Sequence, residues 1–191
     1  MKSHVDKKIL GFDMDGVIVD NSALKVKLAG EFGLKLKLSN APAEIIKKII
    51  APDVLRKIQL ALYHNPKISI EAPLMPGIAG ILDKITALKI PFFLISRRLE
   101  PKIAIDLLSA KNLWPKYFND KNAYFVITPE DKNIKAKELG VTHYVDDEIK
   151  ILAALKDVPN KFLFDHLSVF PVADNYTKVA SHEELAKYFL S

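Results

Sequence analysis

The chain has 191 residues, 49% of them hydrophobic and 27% charged, the balance of a globular protein with one core, or a core and a small appendage. It contains no cysteine, which excludes a disulfide scaffold, a thiolate zinc site and a cysteine nucleophile and suits a reducing compartment. The net charge of +5, from 28 basic and 23 acidic residues, is spread over scattered lysines with no basic arm or groove-reading motif, so no nucleic-acid partner is expected, only a mild pull on small anions.

Residues 1–8 are polar and charged, with no apolar stretch of signal-peptide length behind them. No later run approaches the roughly 18 apolar residues of a spanning helix, so we expect no membrane partner and a cytoplasmic location. Ile9-Leu10-Gly11-Phe12 is the first short apolar run, and it leads directly into Asp13. Residues 21–72 then read as helical. Leu24, Leu28 and Phe32 are followed by Ile45, Ile46, Ile49 and Ile50, then by Leu55, Ile58 and Leu62, with turns near 39–42 and at Asn65-Pro66.

From residue 72 two textures alternate. Ile78, Ile81, Leu82, Ile85 and Leu88 lie on one helical face, with Pro76 near the start where a missing N–H is harmless. The run Ile90-Pro91-Phe92-Phe93-Leu94-Ile95 ends at Ser96. Ile103, Leu107 and Leu108 mark a helix, and residues 123–127 form another apolar run. His143-Tyr144-Val145 leads into Asp146-Asp147, Ile149, Leu152 and Leu155 mark a helix, and Phe162-Leu163-Phe164 leads into Asp165. Ser181-His182-Glu183-Glu184 opens a last helix with a capping-box pattern. Short apolar runs alternating with helices predict an α/β fold, a doubly wound parallel sheet with a small helical insert after the first strand. Residues 1–20 and 73–191 would form the core domain and 21–72 a helical cap.

Ligands of such sheets bind outside the carboxyl ends of the strands, where Asp13, Ser96, Asp146, Asp147 and Asp165 are expected. Crowded carboxylates repel unless a cation neutralises them, and hard oxygens suit magnesium. In Asp13-Met14-Asp15-Gly16-Val17 an apolar strand meets two carboxylates one residue apart, and Gly16 lets the chain turn away. Phosphoryl transfer needs a nucleophile in line, charge neutralisation and an acid for the leaving oxygen. Two carboxylates on one loop can divide the first and last of these tasks, whereas a plain turn with two solvated aspartates would do neither.

This set resembles the haloacid dehalogenase-like (HAD) hydrolase superfamily over residues 9–165. The resemblance rests on Asp13-Met14-Asp15-Gly16-Val17, on Ser96 ending its apolar run, on a lysine upstream of the last acidic pair, and on Asp146-Asp147, all in family order. It implies that Asp13 attacks phosphorus and ligates Mg2+, that Asp15 is acid then base with its carbonyl on the metal, and that Ser96 bonds a phosphoryl oxygen. Asp147 matches the metal-binding position, with Asp146 beside it as a second metal residue or the holder of a metal-bound water, and which of the two touches the metal directly stays open. The lysine would be Lys132, 14 residues before Asp146, with Lys135 and Lys137 as alternatives. Of Arg97 and Arg98, which follow Ser96, Arg97 is the first candidate for substrate binding, against both being an exposed loop pair. Asp165 reads as structural, and His4, His64, His143, His166 and His182 show no metal-ligand spacing.

The implied activity is a Mg2+-dependent phosphomonoester hydrolase working through an aspartyl-phosphate on a small phosphorylated substrate. The first motif, the short insert and the paired Asp146-Asp147 are also similar to 5′(3′)-deoxyribonucleotidases, whose base-stacking aromatics only Phe32 and Tyr63 could supply here. A phosphomutase or dehalogenase, a nucleic-acid end-processing phosphatase and a catalytically silent binding module of the same fold are the remaining alternatives.

Overall fold

The structure, a computed structural model, describes residues 8–190; His4 and the polar stretch 1–7 lie outside that range. Five of the six strands stand where continuous apolar runs predict them: β1 (Leu10–Phe12), β2 (Phe92–Ser96), β3 (Ala123–Phe125), β4 (His143–Asp146) and β5 (Asn160–Phe164). The sixth, β6 (Thr177–Val179), extends the sheet past β5, so Asp165 ends an interior strand and not the edge strand expected from sequence. The order is β3-β2-β1-β4-β5-β6, parallel throughout.

Alternation along the strands feeds two hydrophobic clusters. Leu94, Val145, Phe162 and Phe164 belong to one, while Ile95, Tyr144 and Leu163 belong to the other. Helices α5 (Ile78–Ala87), α6 (Pro101–Ala110) and α9 (His182–Phe189) cover the first face. Helices α7 (Pro129–Glu138) and α8 (Ile149–Ala154) cover the second. Both faces are buried, which is why the strands read as unbroken apolar runs.

Between β1 and α5 come α1 (Ser22–Glu31), a 3₁₀ turn (Leu38–Asn40), α2 (Ala43–Ile46), α3 (Pro52–His64) and α4 (Pro66–Ser69). Leu24, Leu28, Ile46, Ile58 and Leu62 point their buried side chains into the first cluster. The chain leaves and returns through two segments bonded to each other, Asp20 N–H to the carbonyl of Pro73 (2.9 Å) and Met75 N–H to the carbonyl of Ile18 (2.8 Å). No helix among the described residues is long and apolar enough to cross a membrane.

α9 is capped as its sequence suggests. The Ser181 hydroxyl accepts from Glu184 N–H at 3.1 Å, and the Glu184 carboxylate accepts from Ala180 N–H at 2.8 Å. His182, 1% exposed, stacks on Phe164 (centroids 4.6 Å apart) and lies 3.0 Å from the carbonyl of Pro76 through Nδ1. A carbonyl only accepts, so Nδ1 carries the proton and Nε2, buried without a partner, is bare. Burial lowers the imidazole to about 4, against the backbone carbonyls of Pro76 and Val17, which favour the charged ring. The unfolded chain binds that proton near 6.5 and the folded chain only near 4. The neutral ring is therefore harmless above 6.5 and withdraws stability as pH falls toward 4. His182→Asn keeps a donor for Pro76 but does not titrate. Between pH 7 and pH 4 the wild type should lose about 3 kcal/mol more than this variant in urea denaturation; parallel losses would mean that the ring does not resist protonation.

Candidate active site

The strand order reverses at β1. The chain runs from β1 outward to β2 and β3 on one side, then returns to β4 on the other and continues to β5 and β6. The crevice at the carboxyl ends of β1 and β4 is the topological switch point, where parallel sheets bind ligands. Asp13 follows β1 and donates its N–H to the carbonyl of Val145 in β4 (3.0 Å), and Asp146 ends β4.

The two strand ends are joined by one side chain. Lys132 Nζ donates to Asp13 Oδ1 and to Asp146 Oδ2, each at 2.8 Å, and is 1% exposed. It also stands 5.4 Å from the centre of the Tyr144 ring. Its placement comes from α7, where Thr128 and Asp131 cap each other's backbone N–H (3.0 and 2.9 Å) and leave Lys132 in the first turn, facing the sheet with Ala136 one turn later. Lys135 and Lys137 point outward to Glu138 and Asp157.

Asp147 follows Asp146. Gly16, with φ +79°, gives it room, because a Cβ there would collide with the Asp147 carboxylate. Asp13, Asp146 and Asp147 each offer an oxygen within 4.8 Å of the others. Burial raises all three. It acts on Asp13 against Lys132 and with the charges of Asp146 and Asp15, on Asp146 against Lys132, and on Asp147 with the added charge of Asp146. One ammonium among three carboxylates leaves two negative charges unmatched. An oxygen-only set of this charge fits a hard divalent cation such as magnesium, whose presence would reverse those upward shifts.

Asp15 is treated differently. Arg98 grips both of its oxygens, Nε to Oδ2 at 2.9 Å and Nη2 to Oδ1 at 2.7 Å, and the amide of Asn21 adds a bond to Oδ1. Burial pushes this carboxyl up, but the Arg98 charge and the hydrogen bonds from Arg98 and Asn21 outweigh it and hold it below its ordinary value.

A cavity of about 410 Å³ opens above these groups. Asp13, Asp15, Lys132, Asp147, Arg97 and Arg98 border it from the sheet side, and Ile46, Leu55, Ile58, Leu62 and Tyr63 border it from the helical insert. Ser96 is fully buried, its Oγ accepting from Arg98 N–H at 3.3 Å, and is not among the bordering residues. Arg97 lies at the rim, 3.8 Å from Glu148. Arg98 is buried, so the two arginines are not an exposed loop pair. Phe32 does not border the cavity; it is 41% exposed with Lys57 over its ring, which leaves Tyr63 as the aromatic of the pair that does. Asp165 caps its own loop, accepting from the N–H groups of Val169 and Phe170 at 2.9 Å. Sequence reasoning passed over Asn21, Ser69 and Glu148. Only Asn21, six residues after Asp15, carried a local signal, as a polar residue just before a helix.

No family model matches the chain, and no curated protein matches it. Among solved structures the fold is shared with a HAD-family hydrolase from Deinococcus radiodurans R1 that has phosphate and sodium bound. The two are 18% identical over 95% of this chain and 94% of that one, with a TM-score of 0.65. A predicted phosphatase from Clostridium acetobutylicum (17%, 96% and 98%, 0.63) and a HAD hydrolase of family IA, variant 3, from Entamoeba histolytica (16%, 96% and 100%, 0.63) are similar to the same extent. At these identities the likeness is one of fold: a six-stranded parallel, Rossmann-like α/β sheet with flanking helices, as in HAD hydrolases.

The three lysines of the 132–137 stretch make a direct test. Lys132→Met leaves the buried carboxylates uncompensated and should cost about 3–5 kcal/mol in metal-free denaturation at pH 7. Lys135→Met and Lys137→Met should stay within about 0.5 kcal/mol of wild type. Similar losses for all three would remove the distinction.

Proposed function

We propose that this chain is a Mg2+-dependent phosphomonoester hydrolase of the HAD type, acting through an aspartyl-phosphate on a small phosphorylated metabolite. The observation that carries this reading is Asp13 at the switch point, with one oxygen on Lys132 and the other without a hydrogen-bond partner among the described residues, beside Asp146 and Asp147. The shared fold with HAD hydrolases, one holding phosphate, supports it. Residues 1–20 and 73–191 serve as the catalytic core and 21–72 as the cap that lines the leaving-group side of the cavity.

Magnesium, held by Asp13, Asp147, the carbonyl of Asp15 and Asp146, would neutralise phosphoryl charge and fix its orientation. The free oxygen of Asp13 attacks phosphorus, the Asp13–phosphorus bond forms as the ester P–O bond breaks, and Asp15, which Arg98 holds ionised in the resting site and which first takes up a proton from solvent, passes that proton to the leaving oxygen. Water then attacks the same phosphorus, Asp15 takes the proton, and the Asp13 carboxylate is regenerated as phosphate departs. Lys132 offsets charge on Asp13 and the phosphoryl group throughout, and Arg97 is assigned to the substrate end; Ser96, buried off the cavity beneath Arg98, would reach a phosphoryl oxygen only if that loop moved. A nucleoside monophosphate is the second reading, favoured by Tyr63 beside the apolar wall of the insert.

Replacing Asp13 by Asn removes the attacking charge and should lower phosphomonoester turnover by several orders of magnitude. Chelation should abolish activity, and magnesium should restore it better than calcium, which tolerates higher coordination. An Asp13→Asn protein with a tenth of wild-type turnover, or full activity in excess EDTA, would end this mechanism.

Asp15→Asn should lose far more kcat/KM on an alkyl phosphate than on an activated aryl phosphate, whose leaving oxygen needs little help. Slow breakdown of the aspartyl-phosphate should then give a burst of phenol. Equal modest losses and no burst would take Asp15 out of the chemistry.

A further inference from the structure

Arg98 touches both the loop after β1 and the helical insert. It stands two residues beyond β2, and its guanidinium grips both oxygens of Asp15 on the loop after β1. Its remaining nitrogen, Nη1, donates to Ser69 Oγ at 2.7 Å, at the end of α4. The ring of Tyr63 on α3 lies 5.1 Å from the guanidinium carbon. The Arg98 side chain is 2% exposed and Ser69 is 1% exposed. A surface salt bridge contributes little, but this one is buried and forked, with its third nitrogen and one ring face also engaged.

Such a fork fixes more than distance. Two parallel N–H donors set both the position and the plane of the carboxylate they hold, which a lysine, as a point charge on a flexible stem, does not. Asn21 adds a third donor to Oδ1. The carboxylate of Asp15 is thus aimed by Arg98, and Arg98 is seated by two residues of the helical insert. Asp15 alone would be free to turn about its side-chain bonds.

We infer that Arg98 is the positioning residue for Asp15, and that through Ser69 it makes the aim of that carboxylate depend on how the insert is seated. The inference rests on the phosphatase reading and deepens it. The contacts are those of a positioning residue, because Arg98 reaches the chemistry through another side chain.

The test uses kcat/KM, which covers steps only up to departure of the leaving group, where the proton from Asp15 counts. With Mg2+ present, Arg98→Lys should lose about 10- to 100-fold more on an alkyl phosphate than on an activated aryl phosphate, within the range that a placed acid contributes. Ser69→Ala, a milder change that leaves Arg98 and Asp15 in place, should show the same bias at about 3- to 10-fold. Adding Arg98→Lys to Asp15→Asn should cost little further, because the two side chains act as one unit. Equal losses on both substrates with a raised KM, or losses that multiply in the double variant, would show Arg98 touching substrate itself and overturn the inference. So would an unbiased Arg98→Lys and Ser69→Ala beside a strongly biased Asp15→Asn. If Asp13→Asn is inactive but Asp15→Asn shows no bias, it is the assignment of the acid that fails, and the inference falls with it. A wild type inactive on every monoester would instead overturn the phosphatase reading.

Discussion

Asp13 and Asp146 are buried, with the half-buried Asp147 offering an oxygen within 4.8 Å of theirs, and a single ammonium lies between the two buried ones. Two charges 4 Å apart interact by about 4 kcal/mol at the effective dielectric of a protein, so the like-charge repulsion alone would compare with the whole stability of a domain. Lys132 turns part of that repulsion into attraction, and everything at the switch point is arranged to keep it there. Proline at the first position of α7, the reciprocal caps of Thr128 and Asp131, and the small Ala136 on the same face let a polar helix lie against the sheet with its ammonium inward. The remaining negative charge is what a divalent cation would neutralise.

The two aspartates of the first loop are two residues apart and face opposite electrostatic regimes. Asp13 shares a point charge with Asp146 and is raised by burial, whereas Asp15 faces a rigid fork and is held low. Gly16 makes this division possible. Its left-handed backbone turns the chain just after Asp15, and its missing side chain lets Asp147 close in from the other side. The same surroundings push the two carboxyls apart, Asp13 up and Asp15 down, so with Arg98 in place Asp15 is held in the ionised form of a base and not in that of an acid.

Much of this was legible in the sequence where the physics is local. Strands buried on both faces leave continuous apolar runs, and polar residues at their ends mark the site, so Asp13, Asp15, Asp146 and Asp147 could be read as one set. β6 could not, because Thr177-Lys178-Val179 is three residues long with only Val179 buried. The four-residue helices α2 and α4 are too short for any period to show. α7 hides its role because its inward face is Lys132 and Ala136, with no apolar stripe to betray which of three lysines points in. Arg97 and Arg98 are neighbours on a loop, and nothing in their spacing says that one is buried and the other at the rim. Ser69 matters only through a contact 29 residues away in the chain, which no local pattern records.

The helical insert and the loop carrying Asp13 and Asp15 are not independent parts. The segment carrying Asp13 and Asp15 continues directly into residues 17–20, and these are bonded to the returning segment 73–75 before the chain reaches α5. Val19 bridges both Asp15 and Leu74. Beneath the return, Pro76 rests on His182 of α9, a neutral ring fixed in the first cluster. A shift of the insert therefore has two routes to Asp15, one through this paired backbone and one through Ser69 and Arg98. The first is anchored in the core and resists movement. The second runs through two almost fully buried side chains that lie outside the strand ladder. A displaced Ser69 would move the partner of Arg98 Nη1, and with it the fork that holds Asp15. The aim of Asp15 would then respond to the insert, while the backbone that carries Asp13 remains fixed.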